Sequence, residues 1–579
     1  MHKMQLTLLA ILVCIYSIPL HAKTSVDITI SGIDDILETN VRLLLSIEQQ
    51  KEHALLSSAR VLRLHKKAPA EITSALQPFG YYQPVIKADL IQTTPSHWQA
   101  SYDIDPGPAT IISEFNFSIT EEVSKDQEYN DFIQNNTLLK DSVFNHIEYE
   151  KFKASLSKLA TERGYFEARF EQHRVEIDIN TNEAKIYLNY NAGQRYNFGE
   201  VSIKQDVLDE IFLRRYISFT KGSPYTLAKL IDLQHALNDS DYFSSVEVYP
   251  GKPKTDQHEI PVSVILKPHK PHRYTIGLGY GTDTGARAKF GWQMPRINSS
   301  GHRFDTEAKI SKIGYSLSAR YRVPILNPRT DQMIYSAAII NEETTSSDST
   351  IQTIGASLNR SRGAWRESIS LNYQEEDYEI ADTGGDSTLL IPSVNWSRTW
   401  GKNFIYAIDG LRFDLSLRGA SENLISDTDF SQLQGGIKAI NSINNNNRFI
   451  FRGNLGSTWT SEFDQLPSSI RFFAGGAQSV RGYSYESLGP LDANGNVIGG
   501  QHLMVGSIEF EHSFDNKWGM ALFYDGGNAL EEFSDDLERG AGFGVRWKSP
   551  VGMVRIDLAS ALTEDGTPWR LHINIGPDL

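Results

Sequence analysis

RFFAGGAQSVRGY, residues Arg471 to Tyr483, is the stretch whose reading decides the fold. Gly475, Gly476 and Gly482 let the segment fold back tightly, because glycine adopts backbone angles that other residues avoid, and the fold-back presents Arg481. An arginine carried into an enclosed space needs an acidic partner. Short strands of alternating polarity lie on both sides of the segment and run to Leu579, so the partner is to be sought on their faces.

Two flanking strands supply candidates. In Leu503 to Glu511, Met504, Ile508 and Phe510 share one face, which puts Glu509 and Glu511 on the other. In Trp518 to Asp525, the apolar set Trp518, Met520, Leu522 and Tyr524 leaves Asp525 opposite. If the apolar faces meet lipid, the carboxylates line a lumen, and the planar fork of Arg481 is expected to pair with Glu509 and Asp525. Removing one partner of such a desolvated set costs roughly 3 to 5 kcal/mol, less where water enters. The alternative is that the three charges are solvated separately.

From Arg273 onward the pattern is strand after strand. It holds about sixteen strand-plus-turn units if each takes roughly twenty residues. Alternation is clear in Tyr274, Ile276, Leu278 and Tyr280, in Phe449, Phe451, Leu455 and Trp459, and in Phe543, Val545 and Trp547. A soluble β-sandwich also alternates. Arg452, Arg546, Arg555 and Asp557 nevertheless fall opposite the apolar face, as a wet lumen permits and a packed core does not. Trp459 and Trp569 stand near strand ends, where interface girdles form, and the polar run from Asn341 to Thr350 reads as a long extracellular loop.

The first half differs. A helix with an apolar stripe, a Gly/Asp-Tyr-aromatic step and two alternating strands recur three times, marked by Tyr81, Tyr165 and Tyr242, roughly eighty residues apart. Pro69 is read as the first turn of a helix carrying Ile72, Ala75, Leu76 and Phe79 and ended by Gly80. Phe152, Leu156 and Leu159 precede Gly164, while Ser223 and Pro224 are read as opening a helix with Leu227, Leu230 and Leu237 inward. The strands that follow place Trp98, Ala100, Tyr102 and Ile104, then Ile186, Leu188 and Tyr190, then Ile260, Val262, Val264 and Leu266 on one face.

Composition narrows the functional classes. Met1 to Ala22 carries Lys3, an apolar run and a small residue before Lys23, and reads as a removable secretory signal peptide; Cys14, preceded by Val13, lies inside it and does not suit lipid attachment. It is the only cysteine, so no disulfide framework, thiolate metal site or cysteine nucleophile is expected in the mature chain. A net charge of −15 argues against a nucleic-acid partner. Gly277-Leu278-Gly279-Tyr280-Gly281 lies within an alternating strand and has no following helix, so it is read as curvature rather than a phosphate loop. No nucleophile elbow, ordered triad or metal-ligand histidine pair such as His-Glu-x-x-His appears, and neither enzymatic activity nor a cofactor is expected.

The segment RFFAGGAQSVRGYSYESLGP, the three repeats and the ending INIGPDL resemble the TamA-type members of the BamA-like outer-membrane assembly superfamily over essentially the whole mature chain. That resemblance implies an α+β fold: periplasmic POTRA repeats (βααββ) followed by a 16-stranded antiparallel transmembrane β-barrel. The boundaries it suggests are a signal peptide at 1–22, repeats at 23–107, 108–193 and 194–268, and a barrel at 269–579. It implies that Val480, Arg481, Gly482 and Tyr483 pack inside the barrel against Glu509 and Asp525. The implied location is the bacterial outer membrane, and the implied partner is a TamB-like inner-membrane-anchored periplasmic protein. The ending Gly-Pro-Asp-Leu departs from the terminal aromatic of many outer-membrane proteins.

A barrel must also close. The first strand, with Tyr274, Ile276, Gly277, Leu278, Gly279 and Tyr280, and the last, with Leu571, Ile573, Ile575 and Gly576, both read as weak partners. Gly277, Gly279 and Gly281 leave one face without side chains, and Pro577 cannot donate a ladder bond. Their junction is a candidate lateral seam at which unfolded autotransporter or other barrel clients would pair with exposed backbone beside outer-membrane lipid. The same glycines also suit curvature or an inner layer, and both readings stand. Alternatives of other classes are a polypeptide secretion pore, a passive channel and participation in envelope lipid transport.

Overall fold

A computed structural model describes residues 24–576, apart from 54, 137, 402–405 and 551. Residues 1–22, read above as a signal peptide, and the terminal Pro577-Asp578-Leu579 lie outside the described residues. Packing divides the chain into two compact units: one runs through Glu200 and adds Phe219–Leu230 and Pro250–Val262, and the other holds Val201–Ser218, Ile231–Tyr249 and everything from Ser263.

Each repeat contains a three-stranded sheet. In the first, β1 (Ser25–Ser31), helices α1 (Asp35–Leu44), α2 (Ser46–Gln50) and α3 (Ser58–Leu76), then β2 (Val85–Thr94) and β3 (His97–Asp105) give the order β1-β3-β2, with β1 parallel and β2 antiparallel to β3. The Asp34 side chain accepts from the Ile36 and Leu37 N–H groups and so starts α1. Val61, Leu64, Ala68, Ile72 and Ala75 of α3 bury against Trp98, Ala100, Tyr102 and Ile104. Pro69 is inside α3, not at its start, because Ser57 caps the helix eleven residues' worth of chain earlier than the proline suggests, and tertiary burial of the Ile72 face outweighs the missing N–H.

The second repeat runs β4 (Ile111–Ile119), α4 (Glu121–Ser124), α5 (Gln127–Gln134), α6 (His146–Arg163), β5 (Arg169–Asp178) and β6 (Glu183–Asn191), in sheet order β4-β6-β5. The third runs β7 (Asn197–Lys204), α7 (Glu210–Arg214), α8 (Leu227–Asn238), β8 (Phe243–Pro250) and β9 (Glu259–Pro268), in order β7-β9-β8. Ser223 and Pro224 do not open α8. Pro224 instead bridges Asn197, and the helix begins at Leu227. Gly80 and Gly164 end their helices at φ 90°, and Asp241 takes the corresponding left-handed position at φ 60°.

Asp241 has a second task, which explains why a residue with a carboxylate stands there. Its oxygens accept from both terminal nitrogens of Arg273, the first barrel residue, at 2.9 and 2.8 Å. Next to it, the Tyr242 hydroxyl donates to the Gly301 carbonyl at 2.5 Å, and the Arg303 guanidinium lies 4.0 Å from the Tyr242 ring centre.

The barrel is one sheet of sixteen strands in sequential order. They are β10 (Arg273–Gly281), β11 (Gly285–Met294), β12 (Arg303–Ser311), β13 (Gly314–Pro324), β14 (Asp331–Glu343), β15 (Ser347–Arg362), β16 (Trp365–Ile380) and β17 (Thr383–Gly401). Then follow β18 (Gly410–Ala420), β19 (Phe430–Ser442), β20 (Asn447–Trp459), β21 (His502–Ser513), β22 (Trp518–Leu530), β23 (Glu538–Ser549), β24 (Gly552–Ala561) and β25 (Trp569–Gly576). No helix among the described residues is long and apolar enough to cross a membrane; the strands do so.

Outward faces are apolar. Ile276 and Leu278 are 77% and 85% exposed, and Met520, Leu522, Phe543 and Val545 are exposed likewise. The segment from Asn341 to Thr350 is not a long loop. Asn341 pairs with Thr350, and β14 and β15 extend as a ladder to a tight turn after Glu343, because backbone pairing continues where the side chains have become polar.

Candidate functional site

The segment between β20 and β21 folds back on itself: Phe472 exchanges backbone bonds with Gly500, and Ala474 with Leu488. Arg471 holds this form from within, donating to the Leu466, Asp464 and Ile498 carbonyls at 2.8, 2.8 and 3.0 Å. At the loop's base, Ser468 Oγ and the Ser469 N–H donate to the buried Glu376 carboxylate of β16 at 2.8 and 3.1 Å. Phe472, Ala474, Val480, Tyr483 and Leu488 then pack against Leu503, Val505, Ala529 and Ala561 of the wall. The loop therefore spans the lumen from β16 to the opposite strands.

Arg481 lies at its far end, 2% exposed. Its Nε donates to Asp525 Oδ2 at 2.7 Å and one terminal nitrogen to Asp525 Oδ1 at 2.9 Å. The other terminal nitrogen reaches Glu509 Oε2 at 2.7 Å and Asp557 Oδ2 at 3.1 Å. The guanidinium carbon is 3.4 Å from the centre of the Phe523 ring, so one face is covered by an aromatic and the edges by carboxylates.

The network continues beyond the arginine. Arg546 of β23 donates to Glu509, Glu511 and Asp557 at 2.6, 2.8 and 2.5 Å. Arg448 of β20 reaches Glu511 at 2.6 Å, and Arg452 donates to Ser507 Oγ at 3.1 Å and lies 3.8 Å from Asp525. Ser507 in turn donates to Asp525 at 2.6 Å. Four guanidinium groups thus face four carboxylates, and each of these buried charges has an opposite charge beside it, the condition under which so many can be buried together. One loop residue thereby ties strands β21, β22 and β24 together.

Space for this comes from glycine at two places. Gly540 of β23 lies against the Arg481 carbonyl so closely that a Cβ would come within 1.9 Å of that oxygen. Gly482 has φ 103°, and a Cβ there would sit 2.8 Å from the Ala561 nitrogen. The neighbouring motif residues are fixed as well: Val480 is fully buried, and the Tyr483 hydroxyl contacts Thr563 and Glu538 at 2.6 and 2.9 Å.

Sequence reasoning brought Arg481, Glu509 and Asp525 forward but assigned Asp557 and Arg546 only to the lumen face, and it passed over Phe523. The missing signal was register. Asp557 stands beside Gly544, where a Cβ would meet its Oδ1 at 1.9 Å, and that pairing depends on how β23 and β24 align.

The seam residues lie at the two ends of the strand order. Among the described residues β10 and β25 share no ladder, although all fifteen consecutive pairs between them do. Tyr274, Ile276, Leu278 and Tyr280 point outward and Gly277 and Gly279 inward; Leu571 and Ile575 are also exposed. Across the junction the Ile573 N–H donates to Thr282 Oγ1 at 3.2 Å. Among the described residues no group of three or more His, Asp or Glu side chains is placed to hold a metal ion.

Comparison with known proteins agrees with this architecture. The Omp85 superfamily domain model matches residues 270–578, and the model for POTRA domain TamA domain 1 matches 27–106. The outer membrane protein assembly factor BamA of Nitratidesulfovibrio vulgaris is 22% identical over 93% of this chain and 70% of its own length. BamA of Neorickettsia risticii is 22% identical over 64% of this chain and 53% of its own. The crystal structure of Haemophilus ducreyi BamA lacking POTRA domains 1–3 superposes with a TM-score of 0.67 at 15% identity, over 81% of this chain and 99% of that one, a likeness of fold.

Proposed function

The chain belongs to the Omp85 superfamily, and on that footing we propose that it inserts β-barrel clients, autotransporters among them, into the outer membrane through the seam between β10 and β25. It is an outer-membrane assembly or secretion factor whose repeats lie in the periplasm. The proposed arm comprises repeats at 23–107, 108–193 and 194–268, with the barrel at 269–579, and it receives clients together with a TamB-like inner-membrane-anchored protein. Such a partner fits the TamA-type first repeat.

The observation that carries this reading is the seam. Unpaired backbone groups in a bilayer are costly, so two strand edges that share no ladder among the described residues are templates for an incoming strand. Backbone pairing is tolerant of sequence, which lets one protein serve several clients and needs no nucleotide. A polypeptide pore through the lumen is the competing reading, and the loop that crosses from Glu376 to Asp525 opposes it.

Reconstitution tests the proposal. Vesicles carrying the full chain should fold a denatured autotransporter barrel several-fold faster than protein-free vesicles, read as the heat-modifiable client fraction, without release of an entrapped small solute. Equal client folding rates would reject an assembly role, and solute or polypeptide passage at an unopened seam would favour the pore.

A further inference from the structure

Three elements meet at the extracellular end of the seam. Asp283 lies in the turn between β10 and β11, and its Oδ2 accepts the Ala477 N–H of the loop at 2.9 Å. His572 lies on β25 and is 1% exposed; its Nε2 accepts the Gly482 N–H of the same loop at 3.0 Å. Because Nε2 accepts, the ring proton is on Nδ1, which points towards Asp283 Oδ1 at 3.7 Å and has no closer hydrogen-bond partner among the described residues. Arg570, also on β25, donates from Nε to the Gly482 carbonyl at 3.2 Å.

The loop is thus attached to both sides of an interface that has no ladder of its own among the described residues. Its attachment to β25 is by His572 and Arg570, and Arg481 fixes it to β22. Its attachment to the first hairpin is by Asp283. Burial works against the charge on that carboxylate, but His572, the Ala477 N–H and Arg570 outweigh it and hold the group below the usual aspartate range. Gly476 leaves room for the approach, since a Cβ there would lie 3.0 Å from Asp283 Oδ2.

We infer that Asp283 and His572, joined through the backbone of Ala477 and Gly482, form a clasp that holds the seam shut and must release at Asp283 before a client strand can pair with either edge. The inference rests on the seam being the route of insertion. Movement of the first hairpin away from β25 breaks the contacts of Asp283 and the bond between Thr282 and Ile573, and leaves those of His572 and Arg570 to the loop intact. Asp283 and His572 are positioning residues: they touch the loop, not the client.

The test is a distance across the seam. Spin labels at Ala288→Cys on β11 and Ile556→Cys on β24 sit one strand in from the seam on each side, on the outward face and away from the clasp. In the full-length protein in lipid vesicles, without client, Asp283→Ala should raise the long-distance population roughly tenfold, the equivalent of losing one charge-assisted hydrogen bond. His572→Ala should act in the same direction, whereas His572→Gln, which can accept from Gly482 and donate towards Asp283, should stay near wild type. Asp283→Asn keeps the shape and gives the same reading at smaller amplitude if the alanine variant fails to fold.

Distance distributions of the alanine variants that superimpose on wild type would overturn the clasp, whatever happens to assembly. The client-folding rate in the same vesicles separates the two claims. A widened seam with an unchanged folding rate leaves the clasp standing and removes the seam as the insertion route.

Discussion

The wall formed by β20 to β24 and the seam between β10 and β25 are built from the same alternating strands, yet they are held in opposite ways. In the wall every strand shares a ladder with its neighbours, and the loop adds Arg481 with carboxylates from three strands. At the seam the ladder is absent among the described residues, and what joins the edges is a few side-chain bonds and the loop backbone. The loop is therefore mounted on a rigid side and reaches to a separable one. An interface meant to open is better closed by contacts that can be released singly than by a cooperative ladder.

The largest effect should come from the wall. Arg481→Ala leaves the buried Asp525, Glu509 and Asp557 with one cation fewer, and is expected to cost about 3 to 5 kcal/mol, read as the unfolding midpoint in denaturant. An unchanged midpoint would mean that water replaces the guanidinium without loss and that the wall is no more cohesive than the seam. Gly540→Ala should follow, since its Cβ meets the Arg481 carbonyl and must push the loop away, at about 1 to 3 kcal/mol. Reduced protection of the loop from protease would show the displacement.

A smaller effect is expected where the third repeat meets a barrel turn. Arg329 donates to both oxygens of Asp232 at 2.9 and 2.6 Å, at a site open to solvent, so Arg329→Ala should cost only about 0.2 to 1 kcal/mol. These bonds hold the Asp232 carboxyl below its ordinary value of 3.8. A depressed carboxylate stabilises above its unfolded value and loses that contribution as pH falls through the folded one. The difference between wild type and Asp232→Asn should thus be constant near neutrality and vanish only below pH 3.8. Thermal unfolding of both proteins across that range would show it.

The smallest effect belongs to the seam's glycines. A Cβ at Gly277 would find its nearest neighbour, Lys289 Cβ, at 3.7 Å, an ordinary contact, so Gly277→Ala should change stability by no more than about 0.5 kcal/mol. A large loss would show that the bare inner face is needed for curvature and would weaken the contrast between seam and wall.

Much of this was legible in the sequence because it is periodic. The outward sets of β10, β20 and β23 follow from alternation, as do Glu509 and Asp525 on the lumen face, and the helix-ending Gly80 and Gly164 follow from backbone geometry. Register is not periodic. Asp557 reaches Arg481, and His572 reaches Gly482, only after several strands have aligned, and no local pattern encodes that alignment. Local punctuation also misled where tertiary structure overruled it. Pro69 sits inside a helix whose other face is buried, Pro224 bridges a strand rather than opening α8, and the polar residues from Asn341 to Thr350 pair as a ladder.

The most direct measurement is client assembly by the full chain with a disulfide joining β10 to β25, compared under oxidising and reducing conditions in the same vesicles. A seam that must part predicts no assembly while the disulfide is closed and recovery on reduction. Full assembly by the oxidised protein would contradict it and move the working part to the lumen or the periplasmic repeats.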